Sequence, residues 1–376
     1  MPRILIVTGE ASGDLHGANL ARALRTLRQD VEILGVGGDK MQAAGVQLLA
    51  GIQRLDVMGM PGLAQLRAAL RNYSALTRFL RQTRLEAVVF IDHPGLNLRL
   101  ARVAKKARHR VVYYIAPQIW AWHSSRIRLI SRVVDRMIVI LPFEEVLYRQ
   151  AGIACDFVGH PLLDAVDPCY DRAELRKRFG FDEAAIVIGL LPGSREREVR
   201  SLLPIMLQAA ARLAGQYPGL ELAVAQASSI PDGLVEALAE GSGLSVRVYP
   251  DQPNEIMALS DLLLVASGTA TLQAAVIGTP MVITYRASWL TYWLARMLIK
   301  VKHVGLVNIV AGRGIVPELL QHEACPSRLS EEAARLLSDQ VASREMRAAL
   351  RGVRDRLGAP GASTRAAAVV LAECHA

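Results

Sequence analysis

Short apolar runs rich in β-branched residues alternate with longer amphipathic segments along this chain, and this alternation constrains the fold more than any other feature. In the first half the predicted strands lie at 3–8, 31–36, 86–91, 111–115 and 136–140. After a stretch with Pro and Asp at 160–171 the pattern repeats, with predicted strands at 186–191, 221–226, 245–249, 261–266 and 280–285. Strands separated by helical segments indicate βαβ units and parallel sheets.

The predicted fold is therefore α/β, with two Rossmann-like, doubly wound parallel-sheet domains, and 376 residues suffice for two. We place the domains at 1–165 and 166–345. A helical tail at 346–376 is expected to pack on the N-terminal domain or on a partner subunit. Because ligands of such sheets bind beyond the carboxyl ends of the strands, the loops after the predicted strands are the first candidates for function.

The net charge of +9 is confined to the first part of the chain. Residues 1–160 hold 22 Lys and Arg against 12 Asp and Glu, a balance of +10, whereas residues 161–376 hold 22 against 23, a balance of −1. A basic half indicates an anionic partner, which is a nucleic acid, an anionic membrane surface or a phosphorylated substrate. The arginines are dispersed over predicted helices without a nucleic-acid-binding motif, so we predict no nucleic-acid partner.

Cysteine and histidine spacing argue against a disulfide framework and a metal site. The four cysteines lie far apart with no CxxC pair, the eight histidines form no HExxH motif, and no DxD triplet is present. We predict no metal and no other cofactor. The chain opens into a predicted strand without a signal-peptide pattern, so we expect a cytoplasmic protein that meets a membrane only from outside the bilayer.

The loop after the first predicted strand carries two carboxylates close together. Its glycines lack the GxGxxG spacing of a dinucleotide site. Ser12 and Asp14 are suited to cap a helix that begins near Leu15, and a cap needs only one carboxylate, whereas Glu10 adds a second. Two interpretations stay open: a capped helix start without a ligand, and a binding loop that also includes Gly13.

Two further loops of the first half carry candidate residues. Asp92 and His93 follow the third long strand, where a carboxylate can act as a general base in a cleft or cap the next helix. Trp120 and Trp122 follow the fourth strand. They line a sugar or acyl pocket or fill the core, and core filling suits at least one of them.

Two loops of the second half have the composition of diphosphate sites. Each sets glycine, hydroxyl and basic or amide donors between a strand and a helix, where backbone N–H groups attract anions. Neither contains the GxxxxGK[ST] motif, which disfavours an ATPase. The predicted nucleotide-binding residues are Gly193, Ser194 and Arg195 in the first loop and Ser267, Gly268, Thr269 and Thr271 in the second.

A set of motifs occurs here in one order: TGEASGDLHGA, GVGGDKMQAAG, FIDHPGLN, APQIWAWHSSRI, LPFE, FVGHPLLD, LLPGSR, ASGTATL and NIVAGRGIVPELLQ. Together they resemble the lipid-A-disaccharide synthase family, from about residue 3 to about residue 320. The resemblance implies a membrane-associated glycosyltransferase of the GT-B type, whose two Rossmann-like domains face a cleft. It assigns residues 1–165 to the acceptor and the membrane and 166–345 to the UDP-sugar.

The resemblance also implies the reaction. The family transfers 2,3-diacylglucosamine from UDP-2,3-diacylglucosamine to 2,3-diacylglucosamine 1-phosphate (lipid X), with inversion and without a metal. The products are the β-1,6-linked disaccharide 1-phosphate and UDP. It further implies peripheral association with the cytoplasmic face of the inner membrane, and a homodimer. Rival enzymes of the same fold, the N-acetylglucosaminyltransferase that makes lipid II and UDP-sugar 2-epimerases, fit TGEASGD and APQIWAW poorly.

The family's functional residues can be assigned to the positions of this chain that match its motifs. The family's essential aspartate falls at Asp92, our candidate base, and its essential arginine falls at Arg195. Asn308 matches a position associated with the UDP pocket, and Ser12 and Asp14 match loop residues near the reaction centre.

Two positions depart from the family's pattern. Gln273 stands where the family usually has Glu, so we predict weaker UDP binding or a compensating arrangement of donors, because an amide carries no charge. Gly95 stands where a further acidic residue is often found, which removes one rival candidate for the base.

Lipid substrates suggest that one segment contacts the membrane. The segment 57–84 sets apolar residues beside arginines, which suits an anionic leaflet, although most such helices simply bury their apolar stripe in the core. A second candidate, 289–302, could instead be an interdomain or dimer helix. The predicted membrane contacts are Met58, Met60, Leu63, Leu66, Arg67 and Arg71.

Overall fold

The computed structural model describes residues 1–9, 11–50, 52, 63–120, 126–167, 169–286 and 302–375. The chain divides into two compact units. Unit 1 comprises Met1–Asp164 together with Leu357–Ala376, and unit 2 comprises Ala165–Arg356. The first boundary lies next to the predicted one at 165/166, whereas the second lies at 356/357 rather than at 345/346.

Unit 1 contains a seven-stranded parallel sheet in the order β3-β2-β1-β4-β5-β6-β7. Its strands are β1 (Arg3–Thr8), β2 (Glu32–Val36), β3 (Gln47–Leu48), β4 (Ala87–Ile91), β5 (Arg110–Tyr114), β6 (Arg136–Val139) and β7 (Cys155–Phe157). Its helices are α1 (Ala11–Leu27), α2 (Asp39–Ala43), α3 (Leu63–Gln82), α4 (Pro94–Lys106), α5 (Ile127–Val133) and α6 (Pro142–Gln150), and α7 (Leu162–Ala165) ends at the unit boundary.

Unit 2 contains a six-stranded parallel sheet in the order β10-β9-β8-β11-β12-β13. Its strands are β8 (Val187–Leu191), β9 (Glu221–Gln226), β10 (Val246–Pro250), β11 (Leu262–Ala266), β12 (Met281–Tyr285) and β13 (Glu318–Leu320). Its helices are α8 (Arg172–Phe179), α9 (Glu196–Ala214), α10 (Leu234–Glu240), α11 (Pro253–Leu259), α12 (Ala270–Ile277), α13 (Leu306–Ala311), α14 (Pro326–Ser338) and α15 (Gln340–Arg356). Within the described ranges, every helix falls short of the length or the apolarity that a bilayer span requires.

The central strands are apolar throughout because helices cover both faces of each sheet. In β4, Val88 and Phe90 belong to the core on one face, whereas Val89 and Ile91 belong to the core on the other face. All five residues of β4 and all five of β11 are buried. This pattern explains why the strands are visible in the sequence as short continuous apolar runs rather than as alternating ones.

The prediction of two doubly wound parallel-sheet domains is confirmed, and the ten predicted strands match observed strands to within one residue at each end. Three strands were missed, β3, β7 and β13, which have only two or three residues each. The predicted start of the first helix was wrong. Helix α1 begins at Ala11 rather than near Leu15, so Ser12 and Asp14 lie inside its first turn.

The C-terminal tail divides between the two units. Helix α15 belongs to unit 2, whereas the last helix, α16 (Ala362–Glu373), packs on α1 in unit 1. Ala366, Ala367 and Val370 are fully buried in the unit 1 core. At its ends, the Gly361 N–H donates to Asp164 Oδ1 at 2.5 Å, and the Glu373 carboxylate pairs with Arg136 at 2.9 Å. The last helix, α16, is therefore part of the N-terminal fold, whereas the start of the predicted tail is not.

Glu144 is a buried carboxyl group at the start of α6. Its Oε2 accepts from the Leu141 N–H at 3.3 Å, as in a capping box, and its Oε1 accepts from the Trp120 indole N–H at 3.0 Å. The Trp120 ring also meets Phe143 edge-on at 5.2 Å. Burial raises the pKa of Glu144 to about 7, although the Trp120 and backbone hydrogen bonds act in the opposite direction.

Substituting Val370 with Asp tests whether the tail is part of the unit 1 core. A carboxylate at this fully buried position has no partner, so we expect a loss of more than about 4 kcal/mol in the free energy of unfolding. Val341→Asp is the matched control, because Val341 on α15 is 56% exposed. Chemical denaturation measures both variants. Equal, small losses would show that α16 is not integral to unit 1.

Substituting Glu144 with Gln tests the buried carboxyl. The folded-state pKa lies above the ordinary value of 4.5, so the stability that this group contributes is complete below about pH 4.5 and is lost as the pH rises through 7. Gln stays neutral, so the stability of the variant relative to the parent should rise by about 2 kcal/mol from about pH 5 to about pH 8. Urea denaturation at both pH values measures this difference, and a constant difference would contradict the raised pKa.

Candidate active site

Each sheet has one point where the strand order reverses. In unit 1 it lies between β1 and β4, and in unit 2 between β8 and β11. At such a point the loops that leave the two strands diverge to opposite faces and open a crevice beyond their carboxyl ends. Four of the five loops singled out from the sequence start at these four strands, whereas the loop with Trp120 and Trp122 follows β5. The fold therefore brings the candidates after β1 and β4 to one crevice and those after β8 and β11 to another.

In unit 1 the loops after β1 and β4 touch. A Cβ atom added to Gly9 would lie 2.6 Å from His93 Cγ, so only glycine fits there. Asp92 and His93 both adopt left-handed backbone conformations, with φ of 49° and 45°. Two successive non-glycine residues of this kind cost of order 1–3 kcal/mol each, and such strain persists only where the surroundings hold it.

The surroundings of Asp92 hold its backbone from three sides. The Asp92 N–H donates to the Tyr114 carbonyl at 3.1 Å. The Asp92 carbonyl accepts from the Tyr113 hydroxyl at 2.5 Å and from Asn97 Nδ2 at 2.8 Å. The N-cap position of α4, which a capping Asp92 would need, is occupied by His93. The main chain of Asp92 is therefore fixed at the crevice.

Asp14 stabilises the start of a neighbouring helix, a role that the sequence did not indicate. It is only 1% exposed, and its carboxylate accepts from the backbone N–H groups of Gly38, Lys40 and Met41 at 2.7, 3.2 and 3.2 Å. These groups form the N-terminus of α2, so Asp14 caps the next helix rather than its own. This ties the first loop to the loop after β2.

The other residues of the first loop differ in how they are placed. Ser12 is exposed, whereas Gly13 is buried. A Cβ atom added to Gly13 would lie 3.2 Å from the Cβ atom of Thr8. Glu10 lies outside the described residues, as does Trp122. Trp120 is half-buried against Phe143 and Glu144, which favours the packing interpretation for this tryptophan.

In unit 2 the loop after β8 presents Arg195 to solvent. Gly193 has φ of 113°, and an added Cβ atom would lie 2.6 Å from Glu198 Oε2. The Ser194 carbonyl accepts from the Ser229 hydroxyl at 2.6 Å. The Arg195 guanidinium, on a side chain that is 73% exposed, lies 3.1 Å from Glu198 Oε1. Glu198 orients this arginine, and the i,i+3 spacing in the sequence was the signal for it.

The loop after β11 uses only some of its hydroxyl groups internally. The Thr271 hydroxyl is buried and donates to the Gly268 carbonyl at 2.8 Å, and the Ser267 hydroxyl donates to the Val304 carbonyl at 3.2 Å. Thr269 is exposed at the start of α12. Among the described residues, nothing lies within 4 Å of an added Cβ atom at Gly268, so these residues leave the space above its backbone open to a ligand. Thr271 shapes the loop, whereas Gly268 and Thr269 face the open side.

Asn308 is fully buried, and its side-chain amide is saturated. Nδ2 donates to the Val316 carbonyl at 2.9 Å and to Glu318 Oε1 at 2.7 Å, and Oδ1 accepts from the Ile315 and Val316 N–H groups at 2.8 and 3.0 Å. This uses both donors and both lone pairs of the amide. Asn308 therefore acts by fixing the segment before β13.

Two further polar residues of unit 2 bear on the site, Glu318 and Gln273. Glu318, which sequence reasoning missed, accepts from the Val304 and Gly305 N–H groups at 2.9 and 3.1 Å, next to its bond with Asn308. Its only sequence signal is a carboxylate at the start of a short apolar run. Gln273 is half-buried, and its Nε2 donates to Asn254 Oδ1 at 3.3 Å, so among the described residues its carbonyl oxygen is the polar atom left for a ligand.

The predicted membrane contacts are only partly described. Arg67 and Arg71 are exposed on α3, and Leu70 between them is 60% exposed. The side chains of Leu63 and Leu66 lie outside the description, as do Met58, Met60 and the segment 287–301. Among the described residues, no three His, Cys, Asp or Glu side chains converge as a metal-binding group would require.

Solved structures share this fold at low sequence identity. The co-structure of Staphylococcus aureus MnaA with UDP superposes with a TM-score of 0.66 at 14% identity, over 97% of this chain and 95% of that chain. A glycosyltransferase from Rickettsia africae superposes with a TM-score of 0.62 at 12% identity, over 100% of this chain and 98% of that chain. These similarities support the two-unit fold.

Sequence relatives are more specific. The family model for lipid-A-disaccharide synthetase matches residues 4–370. A lipid-A-disaccharide synthase of Geobacter metallireducens is 42% identical over 370 residues, which cover 98% of this chain and 96% of that protein. A lipid-A-disaccharide synthase of Anaeromyxobacter dehalogenans is 44% identical over 374 residues, which cover 98% of this chain and 97% of that protein. On this evidence the chain belongs to the lipid-A-disaccharide synthase family and is a glycosyltransferase.

Proposed function

We propose that this chain joins UDP-2,3-diacylglucosamine to lipid X and releases the β-1,6-linked disaccharide 1-phosphate and UDP. Family membership supports disaccharide formation, and the two crevices supply one site for each half of the chemistry. The observation that carries the proposal is the fixed, strained aspartate at the unit 1 crevice.

Asp92 is the proposed general base. Inversion at the donor's anomeric carbon needs one direct displacement, in which the acceptor's 6-hydroxyl attacks and must lose its proton. A carboxylate is suited to take that proton when its position is fixed before the substrate arrives. The hydrogen bonds from Tyr113 and Asn97 and to Tyr114 fix the Asp92 backbone in this way.

The leaving UDP is proposed to be stabilised in unit 2 without a metal. Negative charge grows on the diphosphate as the glycosidic bond breaks, and fixed N–H donors and a guanidinium offset that charge. Arg195 and the backbone N–H groups after Gly193 and Gly268 are the donors that the crevice offers, at the N-termini of α9 and α12. No cofactor is required by this arrangement.

The uridine end is proposed to lie near Gln273. Its carbonyl oxygen accepts one hydrogen bond from the ribose, while Asn254 holds its amide nitrogen. Asn308 and Glu318 contribute by fixing the segment between α13 and β13.

Acylated substrates place the reaction at a membrane surface. We propose peripheral association with the cytoplasmic face of the inner membrane, in which exposed Leu70, Arg67 and Arg71 of α3 contact the leaflet. The homodimer that the family resemblance implies is part of the same proposal.

Replacing Asp92 with Asn tests the base. Asn keeps the size of the side chain but cannot accept the proton, so kcat should fall by roughly 10²- to 10⁴-fold while the affinity for UDP stays unchanged. UDP release from the two diacylglucosamine substrates measures kcat, and calorimetry measures UDP binding. Asp39→Asn, at an exposed position of unit 1, is the control. Near-native kcat in Asp92→Asn would refute the assignment.

Replacing Arg195 with Gln tests the diphosphate site. Loss of a charge-assisted, two-pronged contact should weaken UDP binding by roughly 10- to 100-fold. Arg200→Gln is the matched control, because Arg200 is also exposed on α9 and also pairs with a glutamate, Glu196, at 2.8 Å. Calorimetric titration with UDP compares the two variants. Unchanged affinity in Arg195→Gln, or an equal loss in both, would contradict the role.

A further inference from the structure

Helices α3 and α4 of unit 1 pack against each other and carry positive charge only. Together they hold eight basic residues and no Asp or Glu within their bounds. Like charges three or four residues apart on a helix oppose its formation, and these helices contain several such pairs. The basic residues are Arg67, Arg71, Arg78 and Arg81 on α3 and Arg99, Arg102, Lys105 and Lys106 on α4.

A groove between the two helices gathers part of this charge. Its cavity of about 690 Å³ is lined by Tyr73, Arg81, Arg99, Arg102, Val103, Lys106 and Ala107. A second cavity of about 520 Å³ shares Arg81 and Ala107 and adds Arg84 and Arg108. We call these two cavities together the α3–α4 groove. Its cations are exposed, so a ligand can reach them.

The groove holds six cations and one carboxylate, Glu86. Over the described parts of the chain, none of its six cations forms an ion pair, whereas the neighbouring Lys105 and Arg110 both pair with Asp135. Glu86, the carboxylate on the rim, accepts from the Arg3 backbone N–H at 2.7 Å. A concave site with six cations and one carboxylate, which a backbone N–H already engages, matches phosphate groups, which guanidinium groups bind in a two-pronged geometry.

The same face of α3 also carries apolar side chains. Leu70, Tyr73 and Arg81 are separated by three and eight residues, so they project from one side of the helix. Leu70 is exposed, and Tyr73 lines the groove. Nucleic-acid-binding grooves interleave cations with several stacking aromatic rings, whereas a single tyrosine and an exposed leucine beside cations are typical of a membrane interface.

We propose that the α3–α4 groove binds the phosphate headgroups of anionic phospholipids and so holds unit 1 on a bilayer. This inference rests on the membrane contact proposed above and assigns it a headgroup site. The site is displaced from the catalytic crevice, because α4 starts beside His93 and carries Arg99, Arg102 and Lys106 about 8, 12 and 18 Å further along its axis.

Vesicle flotation tests the headgroup site. The full chain is mixed with phosphatidylcholine vesicles that contain or lack phosphatidylglycerol, and Arg99→Gln/Arg102→Gln is compared with Arg212→Gln/Arg351→Gln. The second pair lies on exposed positions of unit 2 and removes the same charge. We expect binding only to the anionic vesicles. Each cation near the surface raises the affinity for an anionic membrane by roughly five-fold. The groove variant should therefore bind the anionic vesicles about 25-fold more weakly than the parent, and the control variant should bind them as the parent does.

Three results would overturn the proposal: equal binding of the parent to both vesicles, equal loss in both variants, or undiminished binding of the groove variant. Loss of binding to a single-stranded oligonucleotide, with vesicle binding intact, would assign the groove to nucleic acid instead. UDP release from detergent-dispersed substrates separates this inference from the proposed function. The groove variant should keep that activity, whereas failure of the parent itself to release UDP would overturn the function and leave the vesicle result standing.

Discussion

Complete burial of two parallel sheets is the constraint on which the rest of this structure depends. Helices cover both faces, so the central strands consist of apolar residues alone, as in β4 and β11. Polar chemistry is thereby excluded from the sheets and confined to the loops. The reversal of strand order then selects among the loops, since only those after β1, β4, β8 and β11 open onto a crevice.

This constraint explains how much of the fold and site could be predicted. Strands buried on both faces form continuous apolar runs, so their bounds could be predicted to within one residue, and the loops after them followed directly. The missed strands β3, β7 and β13 are too short for any periodicity. The start of α1 was misplaced because the capping carboxylate of Asp14 serves α2, through contacts 24 to 27 residues away.

Sequence identifies polar residues but not whether the fold already uses them. Asp14 and Asn308 were candidate site residues because they lie in the family's motifs. In the structure, however, both accept hydrogen bonds from backbone N–H groups. Arg195 remains exposed, with one carboxylate to orient it. Glu318 and Glu144 had weak sequence signals because their partners, Gly305 and Trp120, become neighbours only in the folded chain. Long-range saturation of this kind is a tertiary property.

The excess positive charge of the first half can now be divided by location. Much of it lies on α3 and α4, on the helical layer outside the sheet, whereas the crevice of unit 1 is formed by Gly9, Asp92 and His93. A phosphorylated acceptor at that crevice therefore does not account for this charge. In the proposed arrangement, attachment to an anionic surface and chemistry at the crevice use different residues, so each can change without the other. The diphosphate site that we propose in the near-neutral second half needs no such surplus of charge, because backbone N–H groups and a single arginine suffice to bind a diphosphate.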